Sequence, residues 1–185
     1  MYRVKTVSKN VYRSLHMGRA WLVCAGLLLT SPPAFAGGLT TAQLNNVTLD
    51  APDWEGDGVH HLKFTNGEYA TESTNGRILK TAVGDLDGDG QADGAVVYYE
   101  NYGGSGAFMR MAVFICKDGK PVQVGMRSLG DRSETKNLTI KNKALVLDIM
   151  THRPNDSAPG PTKHKVVNFK LKQGKLVGPE QVDWN

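Results

Sequence analysis

Short apolar runs recur along most of this chain, and tight-turn sequences separate them at intervals of about ten residues. Three of these turn sequences are Asn66-Gly67, Asp118-Gly119 and Gln173-Gly174. Asn-Gly and Asp-Gly readily adopt the positive φ angles of a two-residue hairpin turn, and glycine supplies the same freedom in the third pair. No stretch of helix length carries a competing 3.6-residue apolar period. The sequence therefore predicts a mainly-β fold, a single antiparallel β-meander or sandwich-like domain.

Two of the apolar runs indicate which faces the strands bury. Leu145, Leu147 and Ile149 occupy alternate positions, which predicts one face toward the core and the other toward water. Residues 108–116 are apolar on both faces apart from Arg110, so this run is expected to be a central strand with neighbours on both sides.

The first 36 residues have the composition of an export signal. They contain basic but no acidic residues, followed by an apolar run at residues 21–29 that is too short to span a membrane. Ala34 and Ala36 supply the small residues that a signal peptidase requires, so cleavage is expected after Ala36. We therefore expect a periplasmic or secreted protein with no integral membrane segment after cleavage.

Residues 37–185 are expected to form one domain. Removal of residues 1–36 takes five basic residues from the 22 in the chain and leaves 17 against 18 acidic ones, so no nucleic-acid partner is expected. Residues 40–49 predict at most one short N-terminal helix, capped by Thr40 or Thr41. The domain contains a single cysteine, Cys116, which is expected to be a buried thiol.

The most specific motif is an aspartate-rich loop, residues 85–93, between two apolar strands. Its spacing matches the first nine positions of a calcium-binding loop, in which alternate carboxylates converge on one point and a glycine permits the sharp turn. Counted from Asp85, carboxylates fall at positions 1, 3, 5 and 9 (Asp85, Asp87, Asp89 and Asp93), glycine at 6 (Gly90) and a main-chain carbonyl donor at 7 (Gln91). The loop predicts a Ca²⁺ site.

The flanking sequence shows which kind of calcium loop this is. Val96 stands at position 12, where a helix–loop–helix calcium site has a bidentate glutamate, and strands replace both helices. The same ligand core occurs in strand–loop–strand settings, and the loop resembles the calcium loops of FG-GAP repeats. We expect a structural Ca²⁺; the alternative is an Asp/Gly-rich turn without an ion.

Further motifs follow the loop in a specific order: GGSGAF from Gly103, LGDR from Leu129 and THRPND from Thr151. Together with GDLDGDGQADGAVVYY they resemble a family of small exported bacterial proteins and lipoproteins, over residues 83–156, about half of the expected mature chain. The resemblance implies export and a cation loop, and it implies no activity. Members often carry Cys-Cys-Pro-Thr after the last motif, whereas residues 158–162 here read APGPT, so thiol chemistry is not expected.

A second group of residues is the predicted rim of a ligand site. The glycine loop, residues 101–108, can present backbone N–H groups to an anion, although a flexible hairpin loop is the simpler interpretation. The predicted rim consists of Gly104, Ser105, Arg132 and His152. Asp131-Arg132 equally suits a turn with a local ion pair, and His152 a surface position.

These features favour an exported, non-enzymatic binding or structural module with a structural Ca²⁺, whose partner is a ligand or an envelope protein. One alternative is a periplasmic hydrolase that uses the His152 and Asp131-Arg132 loops around the glycine loop. The other alternative is an interaction subunit of an envelope assembly. No catalytic residue is assigned.

Overall fold

The computed structural model describes residues 37–52, 58–156 and 160–182, which all belong to one compact unit, Pro33–Asn185. The predicted signal segment, residues 1–36, lies outside the described residues, so export stays a prediction. The predicted fold class is confirmed, because the described residues form eleven strands and one short helix.

The helix is α1 (Thr41–Leu44), and the strands are β1 (Thr48–Pro52), β2 (Val59–Lys63), β3 (Glu68–Ala70), β4 (Asn75–Gly84), β5 (Asp93–Asn101), β6 (Phe108–Lys117), β7 (Lys120–Asp131), β8 (Glu134–Lys141), β9 (Ala144–Thr151), β10 (Lys163–Lys172) and β11 (Lys175–Val177).

The strands form three antiparallel sheets within the described part of the chain. A five-stranded sheet has the order β3-β4-β5-β6-β7, a four-stranded sheet has the order β11-β10-β9-β8, and β1 pairs with β2 in a two-stranded ribbon. One face of the five-stranded sheet shares an apolar core with the four-stranded sheet, and its other face shares a second core with the ribbon and α1. The five-stranded sheet is therefore the middle layer.

Burial on both faces is most complete in β5, the central strand of the middle layer. Ala95 and Val97 face the four-stranded sheet, Val96 and Tyr98 face the ribbon, and all four are fully buried. β6 is also paired on both sides, as its run of apolar residues predicts. Such strands lose the polar–apolar alternation of a half-exposed sheet because neither face meets water.

The short helix and the ribbon attach to this layer through polar side chains. Thr40 caps α1, since its hydroxyl accepts a hydrogen bond from the Gln43 N–H at 3.2 Å while the Gln43 side chain accepts one from the Thr40 N–H. The Gln123 side-chain amide pairs with both main-chain polar groups of Asp50, at 2.9 and 2.8 Å, and thereby ties β1 to β7. No helix among the described residues has the length and apolarity needed to cross a membrane.

Three tight hairpin turns join consecutive strands, and the sequence predicts the two that contain glycine. Asp118-Gly119 joins β6 to β7, Gln173-Gly174 joins β10 to β11, and Asn142 lies in the turn between β8 and β9. Each turn has positive φ angles, including 52° at Asn142, because the right-handed twist of paired strands favours turns of this class.

The Asn66-Gly67 turn is also present, but the expected hairpin around it is wrong. The two residues have φ of 53° and 84°, yet β2 pairs with β1 and β3 pairs with β4. Within the described residues, the two sides of the turn share one isolated bridge, Thr65↔Glu68. A residue that follows α1 stabilises the turn instead, because the Gly67 N–H donates to the Asn45 carbonyl at 2.7 Å.

The aspartate loop and the glycine loop lie at opposite ends of β5. The aspartate loop ends at Asp93 and the glycine loop begins at Asn101, so the nine-residue strand β5 spans the distance between them. At about 3.3 Å per residue, that strand places the two loops roughly 25–30 Å apart. They cannot contribute to one binding site.

The turn between β8 and β9 lies next to the aspartate loop. β8 crosses β4 so closely that a Cβ at Gly84 would lie 2.8 Å from the carbonyl oxygen of Ile140. Glycine at this position allows the two backbones to approach. Because the turn follows β8 directly, it reaches the loop that begins at Asp85.

We predict that Leu147→Ala lowers the free energy of unfolding by about 2–5 kcal/mol, because it leaves a cavity between the two sheets. Leu147 is fully buried, whereas Val166 on the adjacent strand is 55% exposed. Val166→Ala is the matched control and should change stability by less than about 0.5 kcal/mol. Urea denaturation measures both, and equal losses would contradict the inward orientation of Leu147.

Candidate functional site

Three aspartates of the predicted calcium loop converge in the structure. Ligand oxygens of Asp85, Asp87 and Asp89 all lie within 4.8 Å of one another, so the three residues can hold a metal ion. Asp85 is half-buried at the end of β4, and the other two are exposed. Carboxylate oxygens are ligands that hard cations prefer.

The carboxylates are oriented by amides of their own loop. Asp85 accepts hydrogen bonds from the N–H groups of Gly88 and Gly90, at 2.5 and 3.2 Å. Asp89 accepts two from Gln91, at 2.7 Å from the main chain and 2.9 Å from the side chain. These side chain–backbone bonds are typical of Asp in turns and fix the loop at both ends.

Asp93, the fourth predicted ligand, has a different environment. It is fully buried, and its carboxylate accepts hydrogen bonds from the N–H groups of Leu86 at 2.8 Å, Asp87 at 3.1 Å and Cys116 at 2.9 Å. Burial raises the pKa of Asp93, and the three N–H donors oppose that rise. Asp93 therefore ties both ends of the loop to the neighbouring strand β6.

The fifth predicted ligand, Gln91, lies between the loop and the sheet. Its side-chain oxygen accepts a hydrogen bond from the Cys116 thiol at 3.6 Å, and its side-chain nitrogen bonds Asp89. Cys116 is buried, as the sequence predicts. The predicted contribution of Gln91 to a metal site is its main-chain carbonyl, which these side-chain contacts leave untouched.

The glycine loop and the Asp131-Arg132 turn are brought together at the other end of β5. Asp131 accepts the Ala107 N–H at 2.8 Å and pairs with Arg132 at 2.7 Å, and Arg132 also donates to the Ser105 carbonyl. Asn101 holds the loop from within, since its amide donates to the Gly104 carbonyl at 2.9 Å. The local ion pair that the sequence offered as one interpretation of Asp131-Arg132 is present.

His152, the fourth residue of the predicted rim, directly follows strand β9 of the four-stranded sheet. β8 and β9 pair Glu134 with Met150. Arg132, which precedes β8, and His152, which follows β9, therefore lie beyond the same end of this strand pair. Among the described residues, no hydrogen bond joins His152 to Ser105 or Arg132. The structure therefore joins Arg132 to Ser105, with Gly104 in the same loop, and shows no contact of His152 with them in the part of the chain that it describes.

Asp156 fixes the loop that contains His152. Its carboxylate accepts hydrogen bonds from the Arg153 N–H at 2.8 Å, the Thr162 N–H at 2.9 Å and the Thr162 hydroxyl at 2.7 Å. The Arg153 N–H bond and then the Thr162 side chain lower the pKa of Asp156, with a smaller contribution from His152.

A buried ion pair at the glycine-loop end was missed by sequence reasoning. Glu100 is fully buried and pairs with the Arg110 Nε at 2.7 Å, while the Tyr69 hydroxyl donates to its other oxygen at 3.2 Å and His60 Nε2 lies 3.4 Å away. Burial, followed by the charge of Glu100, raises the pKa of Tyr69, so this phenol remains a donor. The one available signal was Arg110, the polar residue in an otherwise apolar strand.

An open pocket of about 320 Å³ lies near this end, over β3, β4 and the end of β5. Its lining includes Tyr69, Asn75 and Tyr99, together with Glu68 and Arg77, which form an exposed ion pair at 3.5 Å. The pocket is open and more polar than the apolar clefts that usually hold small ligands.

No family model, curated protein or solved structure matches the chain. The resemblance carried by the four motifs therefore stays a prediction.

We predict that Arg110→Met destabilises the fold by about 3–5 kcal/mol, because it leaves the buried Glu100 carboxylate without its charged partner. Combining Arg110→Met with Glu100→Gln should recover part of that loss, since no buried charge then remains. Urea denaturation of both single variants and the double variant gives the coupling free energy. Strict additivity of the two single losses would contradict the pairing.

We predict that the Asp156 carboxyl titrates below its ordinary pKa of 3.8. A lowered folded pKa means that Asp156 stabilises the fold above its unfolded pKa, and that this contribution is lost as the pH falls through the folded value. Thr162→Val should move the pKa upward, because it removes the hydroxyl donor. Thr162→Ser, which keeps the hydroxyl, is the control; carbon NMR titration would refute the assignment if both variants titrate alike.

Proposed function

We propose that this chain is an exported, non-enzymatic binding module whose aspartate loop holds a structural Ca²⁺. One observation carries the metal part of the proposal: carboxylates of Asp85, Asp87 and Asp89 meet within 4.8 Å in the loop that joins β4 to β5. Export is supported by the basic segment, the apolar run and the small residues at Ala34 and Ala36.

Calcium is the cation that the donor set favours. It accepts six to eight oxygen ligands in flexible arrangements, whereas magnesium demands a near-ideal octahedron and retains its water. Asp85, Asp87 and Asp89 would hold the ion, with the Gln91 carbonyl as a fourth protein donor. The buried Asp93 would position the loop through its backbone contacts and add negative charge beside the ion.

A structural role follows from where the loop lies. It connects the neighbouring strands β4 and β5 of the middle layer. It lies at the opposite end of β5 from the glycine loop and the pocket. An ion that binds only the folded loop stabilises the fold by mass action. The same ion would not touch a ligand at the glycine-loop end.

The glycine-loop end is the proposed binding surface. The open pocket lies at this end of β5, and the proposed rim residues Gly104, Ser105, Arg132 and His152 lie outside its lining. Binding is favoured over hydrolysis because Arg132 is engaged by Asp131 and by the Ser105 carbonyl, and because no hydrogen bond among the described residues joins His152 to Ser105. The partner is a ligand or an envelope protein.

We predict that calcium raises the melting temperature of the protein and that Asp87→Asn removes most of this rise. Asn keeps an oxygen that can accept the Asp89 N–H, which Asp87 now binds at 3.0 Å, so the variant removes charge and leaves the turn. Binding at 100 times Kd stabilises a fold by about 2.7 kcal/mol. Thermal melts in chelator and in added calcium or magnesium measure the effect.

Asp118→Asn is the matched control, because Asp118 is an exposed aspartate in the β6–β7 turn at φ 53°, where asparagine is equally suited. It should respond to calcium as the parent does. If the parent protein melts at the same temperature in chelator and in calcium, the aspartate loop is a turn that binds no calcium.

A further inference from the structure

A lysine from another hairpin lies over the aspartate loop. Lys143 belongs to the turn between β8 and β9 and has a φ of 57°. A Cβ at Gly88 would lie 2.1 Å from the Lys143 Nζ, 2.6 Å from its Cε and 3.0 Å from its Cδ. The lysine tail therefore occupies the space above Gly88 that any side chain there would fill.

The same glycine connects the lysine to the carboxylates. The Gly88 N–H donates to Asp85 at 2.5 Å, and Gly88 itself has a φ of 91°, which favours glycine. The φ of Gly88 thus disfavours a side chain at this position, and the flexible tail of Lys143 lies where a Cβ would project. The arrangement places a positive charge next to the loop that carries Asp85, Asp87 and Asp89.

The ammonium group does not neutralise the carboxylates by direct pairing. Among the described residues, Lys143 has no carboxylate oxygen within 4.0 Å. Asp85 and Asp89 are oriented instead by backbone amides of the loop. A cation held by the three aspartates would therefore meet an unneutralised positive charge on the Gly88 side of the loop.

We propose that Lys143 determines the affinity and charge selectivity of the aspartate loop for cations; this inference rests on the calcium function proposed above. Repulsion between the ammonium and a bound ion grows with the charge of the ion, so Lys143 opposes trivalent ions more than divalent ones. Salt screens the repulsion over about 10 Å at 0.1 M ionic strength. Lys143 keeps calcium affinity below what the carboxylates alone would give.

The test compares Lys143→Met with Lys141→Met in the purified protein. Methionine keeps the length of the side chain and removes its charge. Lys141 is an exposed lysine at the end of β8 in the same hairpin, so both variants change the net charge equally. Calcium affinity is measured by calorimetry, and terbium affinity by luminescence, each in low and moderate salt.

Lys143→Met is expected to bind calcium about three- to tenfold more tightly than the parent, the range expected for a charge that lies beyond ion-pair distance of the carboxylates in a solvated site. The gain should be larger for terbium and smaller at higher salt. Lys141→Met should gain less than half as much on a logarithmic scale, and Lys143→Arg, which keeps the charge, should bind like the parent. Far-UV circular dichroism in chelator checks that every variant is folded.

The outcomes separate this inference from the calcium function. Equal calcium binding by the parent and Lys143→Met would overturn the role of Lys143 and leave the calcium site standing. Equal gains in the two methionine variants would overturn it as well, because net charge alone would then explain the effect. Absence of binding in the parent and in Lys143→Met would overturn the calcium site and this inference together.

Discussion

The structure depends on the burial of β5 on both of its faces. A strand in that position must be covered by one layer on each side, which requires the four-stranded sheet on one face and the ribbon with α1 on the other. The buried polar groups near its ends also need partners. Asp93 at its start and Glu100 near its end are both fully buried. Backbone N–H groups donate hydrogen bonds to the first carboxylate, whereas the second accepts one from the Tyr69 hydroxyl and pairs with the charge of Arg110.

These two buried carboxylates explain how the two ends of β5 support loops with different chemistry. Asp93 bonds the main chain on both sides of the aspartate loop and so keeps three other carboxylates close together despite their mutual repulsion. Glu100 gathers an arginine, a tyrosine and a histidine from three other strands beneath the glycine loop. Buried charges of this kind contribute little net stability, and removing one partner is costly. They fix the geometry of the loops that they support.

The parts of the fold that depend on residues close together in the sequence could be predicted from the sequence. Turn pairs such as Asp118-Gly119, the alternation of Leu145, Leu147 and Ile149, and the spacing of the first three aspartates all encode local geometry. Contacts between distant segments could not be predicted. The pairing of β2 with β1, the ion pair of Glu100 with Arg110, and Lys143 above Gly88 depend on how the layers pack. The buried position of Asp93 also required the structure, because spacing alone gives four carboxylates the same role.

The separation of the two loops along β5 has a consequence for how such a domain can diversify. Changes in the glycine loop or in the loop that contains His152 alter a surface that shares no residue with the aspartate loop. Drift in one region therefore need not be matched by compensating change in the other. A lineage of such domains can retain the aspartate-loop end of β5 while the surface at the opposite end varies, much as antibody frameworks tolerate variable loops.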